Sequence, residues 1–150
     1  MKIIMLLHCL GAWFLARKAT KLSLFFDYSI RLIFCCWFPS SVKHGTGLVL
    51  GYGGLGIVIH GDTEIGDNVH IDQNVTIGGK ATITGVPKIG SNVYIGAGAV
   101  VLGPIIIGSN SVIGANSVVL DDVPSGTMVA GAPAKIKRAG VDYFHYLHID

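Results

Sequence analysis

Isoleucine or valine returns every six residues along this chain, at Ile59, Ile65, Ile71, Ile77, Ile83, Ile89, Ile95, Val101, Ile107, Ile113 and Val119. Six fits neither the two-residue alternation of a strand nor the 3.6-residue turn of a helix. The chain is therefore read first as a repeat. Glycine follows directly at Gly66, Gly78, Gly90, Gly96, Gly108 and Gly114, and the fifth position is mostly small or aliphatic, as at Val69, Val75, Val93, Ala99 and Ile105. A six-residue unit of this kind is a short strand and a corner. Its β-branched residue packs inward from extended backbone, and glycine, asparagine and aspartate tolerate the φ values of a sharp turn. Three units close a triangle of eighteen residues, and the next coil stacks on it at about 4.8 Å. The pattern predicts an all-β solenoid whose inward residues form aliphatic columns.

Counting in eighteens from Ile59 gives four coils, ending near Ala130. Residues 45–58 predict an earlier, irregular coil, in which "GYGGLG" breaks the register as a bulge or loop. The expected organisation is an N-terminal helical segment over 1–44, the solenoid over 45–130, and a closing loop and tail over 131–150. The first segment holds two apolar runs. One, Ile3 to Ala16, is too short to span a bilayer comfortably, and the second is interrupted by Asp27 and Arg31. They predict two short helices docked on the body, with peripheral membrane contact as the sharper alternative. Cys9, Cys35 and Cys36 make neither a disulfide framework nor a zinc spacing, and are expected as small, reduced core residues of a cytoplasmic protein. A formal net charge of +2, with no basic stripe, argues against nucleic acid as a partner.

The units "IGDNVH-IDQNVT-IGG" and "IGAGAV…IGSNSV-IGANSV" resemble the hexapeptide-repeat acyltransferases. That resemblance implies a left-handed parallel β-helix, a homotrimer and acetyl-CoA as acyl donor, with no metal. Over roughly residues 45–138 the chain is similar to the serine O-acetyltransferases and their sugar-modifying relatives. The closing "VAGAPAKIKR" resembles the family's "AGxPAK" ending, which lies beside coenzyme A. The resemblance therefore places coenzyme contacts at Gly79, Ala97, Ala115, Gly131 and Ala132, with Lys135, Lys137 and Arg138 meeting phosphates. Ala97 and Ala115 stand one coil apart, as a ligand lying along the solenoid axis requires.

Acyl transfer to a hydroxyl needs a general base. The family's histidines fall just before "GIVI" and just before "PKI"; here Tyr52 and Gly53 occupy the first place and Val86 the second. His60 is the first candidate base, His70 the second, and Tyr52 a hydrogen-bond donor. Asp62, Asp72 and Gln73 are candidates to orient a histidine or hold the acceptor. Serine acetyltransferases carry a longer helical segment than the 44 residues found before this repeat, so the expected acceptor is a sugar of surface or capsular polysaccharide. Serine is the alternative acceptor. A non-catalytic structural β-helix that has lost the catalytic histidines is the alternative to an enzyme. A zinc enzyme of the γ-carbonic anhydrase kind is disfavoured, because the ten residues between His60 and His70 do not match that family's histidine spacing.

Overall fold

Two helices open the chain: α1 (Lys2–Ala16) and α2 (Thr20–Phe34). The structure, a computed structural model, describes residues 2–146. Lys18, at φ 60°, ends the first helix, and Cys35, at φ 50°, ends the second in the left-handed cap conformation. Only one side of each helix is buried, through Ile4, His8 and Gly11 on α1 and Ser23, Asp27 and Ile30 on α2. The junction with the body is partly polar. The Asp27 carboxylate accepts from the Ser40 amide at 2.8 Å and from the Ser40 hydroxyl. Gly11 is needed for close approach, since a Cβ there would lie 2.0 Å from Ser40 Oγ.

The coil follows as short strands. They are β1 (Lys43–His44), β2 (Val49–Leu50), β3 (Val58–Ile59), β4 (Glu64–Ile65), β5 (His70–Ile71), β6 (Thr76–Gly78) and β7 (Lys88–Ile89). After them come β8 (Tyr94–Ile95), β9 (Val100–Leu102), β10 (Ile106–Ile107), β11 (Val112–Ile113), β12 (Val118–Val119), β13 (Thr127–Ala130) and β14 (Lys135–Ala139). They stack into three faces: β1-β4-β7-β10, β2-β5-β8-β11-β13-β14 and β3-β6-β9-β12. All pairings between these strands are parallel except β13 with β14, a hairpin that closes the second face. Pairing starts ahead of residue 45, at the Trp37–Val58 bridge and at β1, because the chain leaving α2 already runs alongside the first full coil.

The six-residue code is spatially legible. Ile71, Ile95 and Ile113 make one column, Ile59, Ile77 and Val101 another, all 0% exposed. Burying one such side chain contributes roughly 1.5–3 kcal/mol. The fifth positions Val69, Val75, Val93 and Ala99 fill the remaining interior. The left-handed residue of each corner is the fourth, as at Asn68, Asn74, Asn92, Asn110 and Asn116, and not the glycine in second place. Those asparagines also form a ladder: Asn68 Nδ2 donates to Asn92 Oδ1 at 3.1 Å, and Asn92 Nδ2 to Asn110 Oδ1 at 3.0 Å. The second-place glycine serves close approach, since a Cβ on Gly96 would meet the Ala115 amide nitrogen of the next coil at 2.7 Å.

Two expectations need adjustment, those for Ile83 and for the cysteines, while the register break at "GYGGLG" takes a definite form. Ile83 shares the sequence period but is 48% exposed and lies in no column. The step from β4 to β7 is 24 residues where that from β7 to β10 is 18, so one six-residue insertion protrudes between β6 and β7 without disturbing the frame. The "GYGGLG" break is a short 3₁₀ turn, Gly51–Gly54, with Tyr52 at φ 49° and Gly53 at φ 68°. Of the cysteines only Cys36 is a core residue, its thiol pushed up to about 12 by burial, while Cys9, off the docked face of α1, and Cys35, at the cap of α2, are exposed.

Candidate active site

The corner after the second face carries most of the candidate residues. Successive backbone rungs join Asp72 N to Ile95 O at 2.9 Å, Gly96 N to Ile113 O at 2.9 Å and Gly114 N to Val129 O at 2.8 Å. Asp72 and Gln73, Gly96 and Ala97, Gly114 and Ala115, and Ala130 and Gly131 therefore stand one above another. Three rungs at about 4.8 Å span roughly 14 Å. At one end the closing loop is stitched to the corner: Val118 N donates to Gly131 O at 2.9 Å, Gly131 N to Ser117 Oγ at 3.2 Å and Ala134 N to Val118 O at 2.8 Å. The loop contains the cis Ala132–Pro133 bond and leads into exposed β14, which carries Lys135, Lys137 and Arg138. Gly79 sits apart, at the far edge of the third face where the insertion leaves β6. The column and Gly79 thus flank the two sides of one strand layer.

The other end of the column is polar. His70, on β5, brings Nε2 to 3.1 Å from Asp72 Oδ1, and Tyr94, on β8, donates its hydroxyl to Asp72 Oδ2 at 2.5 Å. The side chains of His70 and Asp72 are only 27% and 17% exposed, so the pair is partly shielded from water. Burial first, then the Asp72 carboxylate, push the Tyr94 phenol far above its ordinary value, which keeps it a donor. Asp72 also packs against the backbone just before Tyr52, where a Cβ on Gly51 would lie 2.7 Å from Asp72 Oδ1. The Gln73 Oε1 atom is buried with no hydrogen-bond partner among the described residues.

The structure does not bring His60 to this cluster. It follows β3, on the third face, and with Gly61 lines a groove against Ser23, Leu24 and Trp37. Its Nδ1 accepts the Asp62 amide at 3.2 Å and lies 3.8 Å from the Asp62 carboxylate, with side chains 50% and 84% exposed. That is a local turn contact in water. Tyr52 is 81% exposed at the 3₁₀ turn. Among the described residues, no three His, Cys, Asp or Glu side chains are grouped to hold a metal ion.

Sequence reasoning missed Tyr94. The signal was present, since His70 and Tyr94 are both sixth residues of their units and pair directly across β5 and β8. Recognising the insertion would have set them side by side.

The family described as bacterial transferase hexapeptide (six repeats) matches residues 87–121, and the hexapeptide repeat of succinyl-transferase matches 62–102. Soybean serine acetyltransferase superposes with a TM-score of 0.84 at 35% identity, over 89% of this chain and 55% of that one. The chain is a hexapeptide-repeat protein close to the serine O-acetyltransferases. The Brucella abortus serine acetyltransferase in complex with coenzyme A matches at TM-score 0.87 and 34% identity, over 92% of this chain and 56% of that one. The enzyme from Neisseria gonorrhoeae gives 0.86 and 34%, over 93% and 55%. This hexapeptide-repeat chain thus spans about half the length of the serine acetyltransferases it matches, and its coil is their left-handed β-helix. No curated protein matches it by sequence.

Proposed function

We propose that the protein is an acetyl-CoA-dependent O-acetyltransferase, with serine as the acceptor ahead of the polysaccharide sugar expected from the sequence. The observation that carries the reading is the corner column. It links a basic closing hairpin at one end to a shielded His–Asp pair at the other, over roughly 14 Å of small residues. A coenzyme lying on it has its phosphates near Lys135, Lys137 and Arg138 and its thioester near His70. A matched serine acetyltransferase holds coenzyme A and another holds serine, which supports this donor and acceptor.

His70 takes the role of the base missing at Tyr52, Gly53 and Val86. Its Nε2–H donates to Asp72, which leaves Nδ1 with the free lone pair. The acceptor oxygen attacks the acetyl carbonyl carbon and its proton passes to Nδ1. As the carbon–sulfur bond breaks, the leaving thiolate takes that proton back. Asp72 fixes the tautomer and steadies the imidazolium, and Tyr94 holds Asp72 in place. The Gln73 carbonyl, buried and unpaired, accepts an N–H or O–H from the ligand. A homotrimer, in which flat faces pack around a threefold axis, completes the site.

Calorimetric titration with acetyl-CoA, with free CoA as control, tests the donor; thiol release with serine and with sugars then tests the acceptor. His70→Ala lowers turnover about 100-fold with coenzyme affinity unchanged, and His60→Ala has a smaller effect. If His60→Ala is the inactive variant and His70→Ala the active one, the base is His60. A folded protein that binds no acetyl-CoA is a structural solenoid.

A further inference from the structure

The helical pair carries a chemical polarity that the acyl-transfer reading leaves unused. Ten of the eighteen large apolar side chains exposed among the described residues fall on α1 and α2. On α1 they recur at helical spacing, with Ile3, Leu6, Leu10 and Trp13 on the side opposite the docked Ile4 and His8. On α2, Phe25 is 66% and Leu32 80% exposed, again away from the buried Asp27 and Ile30. The hairpin thus docks through one layer of side chains and presents a second apolar layer outward.

Charge follows the same division. Residues 1–34 hold five basic side chains, Lys2, Arg17, Lys18, Lys21 and Arg31, against the single acid Asp27. The remainder of the chain holds six basic and eight acidic residues, so the hairpin is +4 and the rest −2. Asp27 is buried against Ser40, which leaves the exposed charge of the hairpin wholly positive. Arg17 stacks over Trp13 at 3.5 Å from the ring centroid, placing a cation at the rim of the apolar face.

We propose that this outer face docks on an anionic lipid surface, lying in the headgroup region with the solenoid held above it. Apolar side chains enter the acyl boundary while Lys and Arg meet lipid phosphates. A second copy of the hairpin is a poorer occupant, because it sets +4 against +4. Crossing the bilayer is a different matter, and no described helix is long and apolar enough for it.

Co-sedimentation of the 150-residue chain with phosphatidylglycerol–phosphatidylethanolamine vesicles, and with pure phosphatidylcholine vesicles, tests this directly. Binding to the anionic vesicles, at least tenfold tighter than to phosphatidylcholine and weakened by salt, is expected. Phe25→Glu/Leu32→Glu lowers it at least tenfold. Lys18→Glu/Lys21→Glu, which alters only exposed charges, does the same while the melting temperature stays put, so a folding defect in the first variant leaves the second decisive. Three results overturn the proposal: no vesicle binding by the wild type, equal binding to both vesicle types, or variants that change the oligomer mass and leave vesicle binding intact. The last identifies the face as a contact between copies.

Discussion

Acidification should loosen the helical pair from the solenoid through one residue, His8. It lies on the docked side of α1, 3% exposed, stacked on Phe38 at 4.1 Å between ring centroids and tilted against His44 at 5.1 Å. Nε2 stands 3.2 Å from Pro39 O and so carries the proton of the neutral ring, while Nδ1 is buried without a partner among the described residues. Protonating Nδ1 puts a charge and an unsatisfied donor into the junction. Burial, and then repulsion from His44, lower the pKa from 6.5 to about 4. Well above pH 6.5 neither folded nor unfolded chain is protonated there, so His8 adds no pH dependence. Between 6.5 and 4 the unfolded chain binds a proton that the folded one refuses, and stability falls. The full 2.5-unit difference corresponds to about 3 kcal/mol, nearly all of it lost by pH 4. Urea denaturation of wild type and His8→Phe from pH 7.5 to pH 4 isolates the effect. The difference in unfolding free energy should change by about 3 kcal/mol across that range, in favour of the variant at low pH. Parallel profiles refute a neutral His8 at the junction.

Other expectations follow from single contacts. Ile95→Ala, at a fully buried column position, should cost about 2–5 kcal/mol by urea midpoint. Gly96→Ala places a methyl against backbone of the next coil, so it should cost about 1–3 kcal/mol and also weaken coenzyme binding. Asn92→Ala loses both ladder hydrogen bonds and strains a residue at φ 55°, whereas Asn92→Gly keeps that backbone conformation and should cost less. Removing Lys137 and Arg138 together should raise the coenzyme dissociation constant about tenfold by calorimetry, with little change in melting temperature, because both are exposed.

The period of six alone determined the aliphatic columns, the corners and the approximate coil count, because each unit encodes its own backbone angles and its own inward residue. The closing loop was legible for the same reason, being a local run of small and basic residues. Which outward side chains meet was not local. His70 and Tyr94 become neighbours only once the six-residue insertion between β6 and β7 leaves the coil, and Ile83 keeps the sequence period while taking no part in the core. The helices show the same limit: sequence marked them as apolar, but docking decided which side is covered and left Phe25 and Leu32 in the open. Only the tertiary structure set His70 on Asp72 and left His60 in a solvated turn, since position across a coil boundary depends on the summed length of everything between.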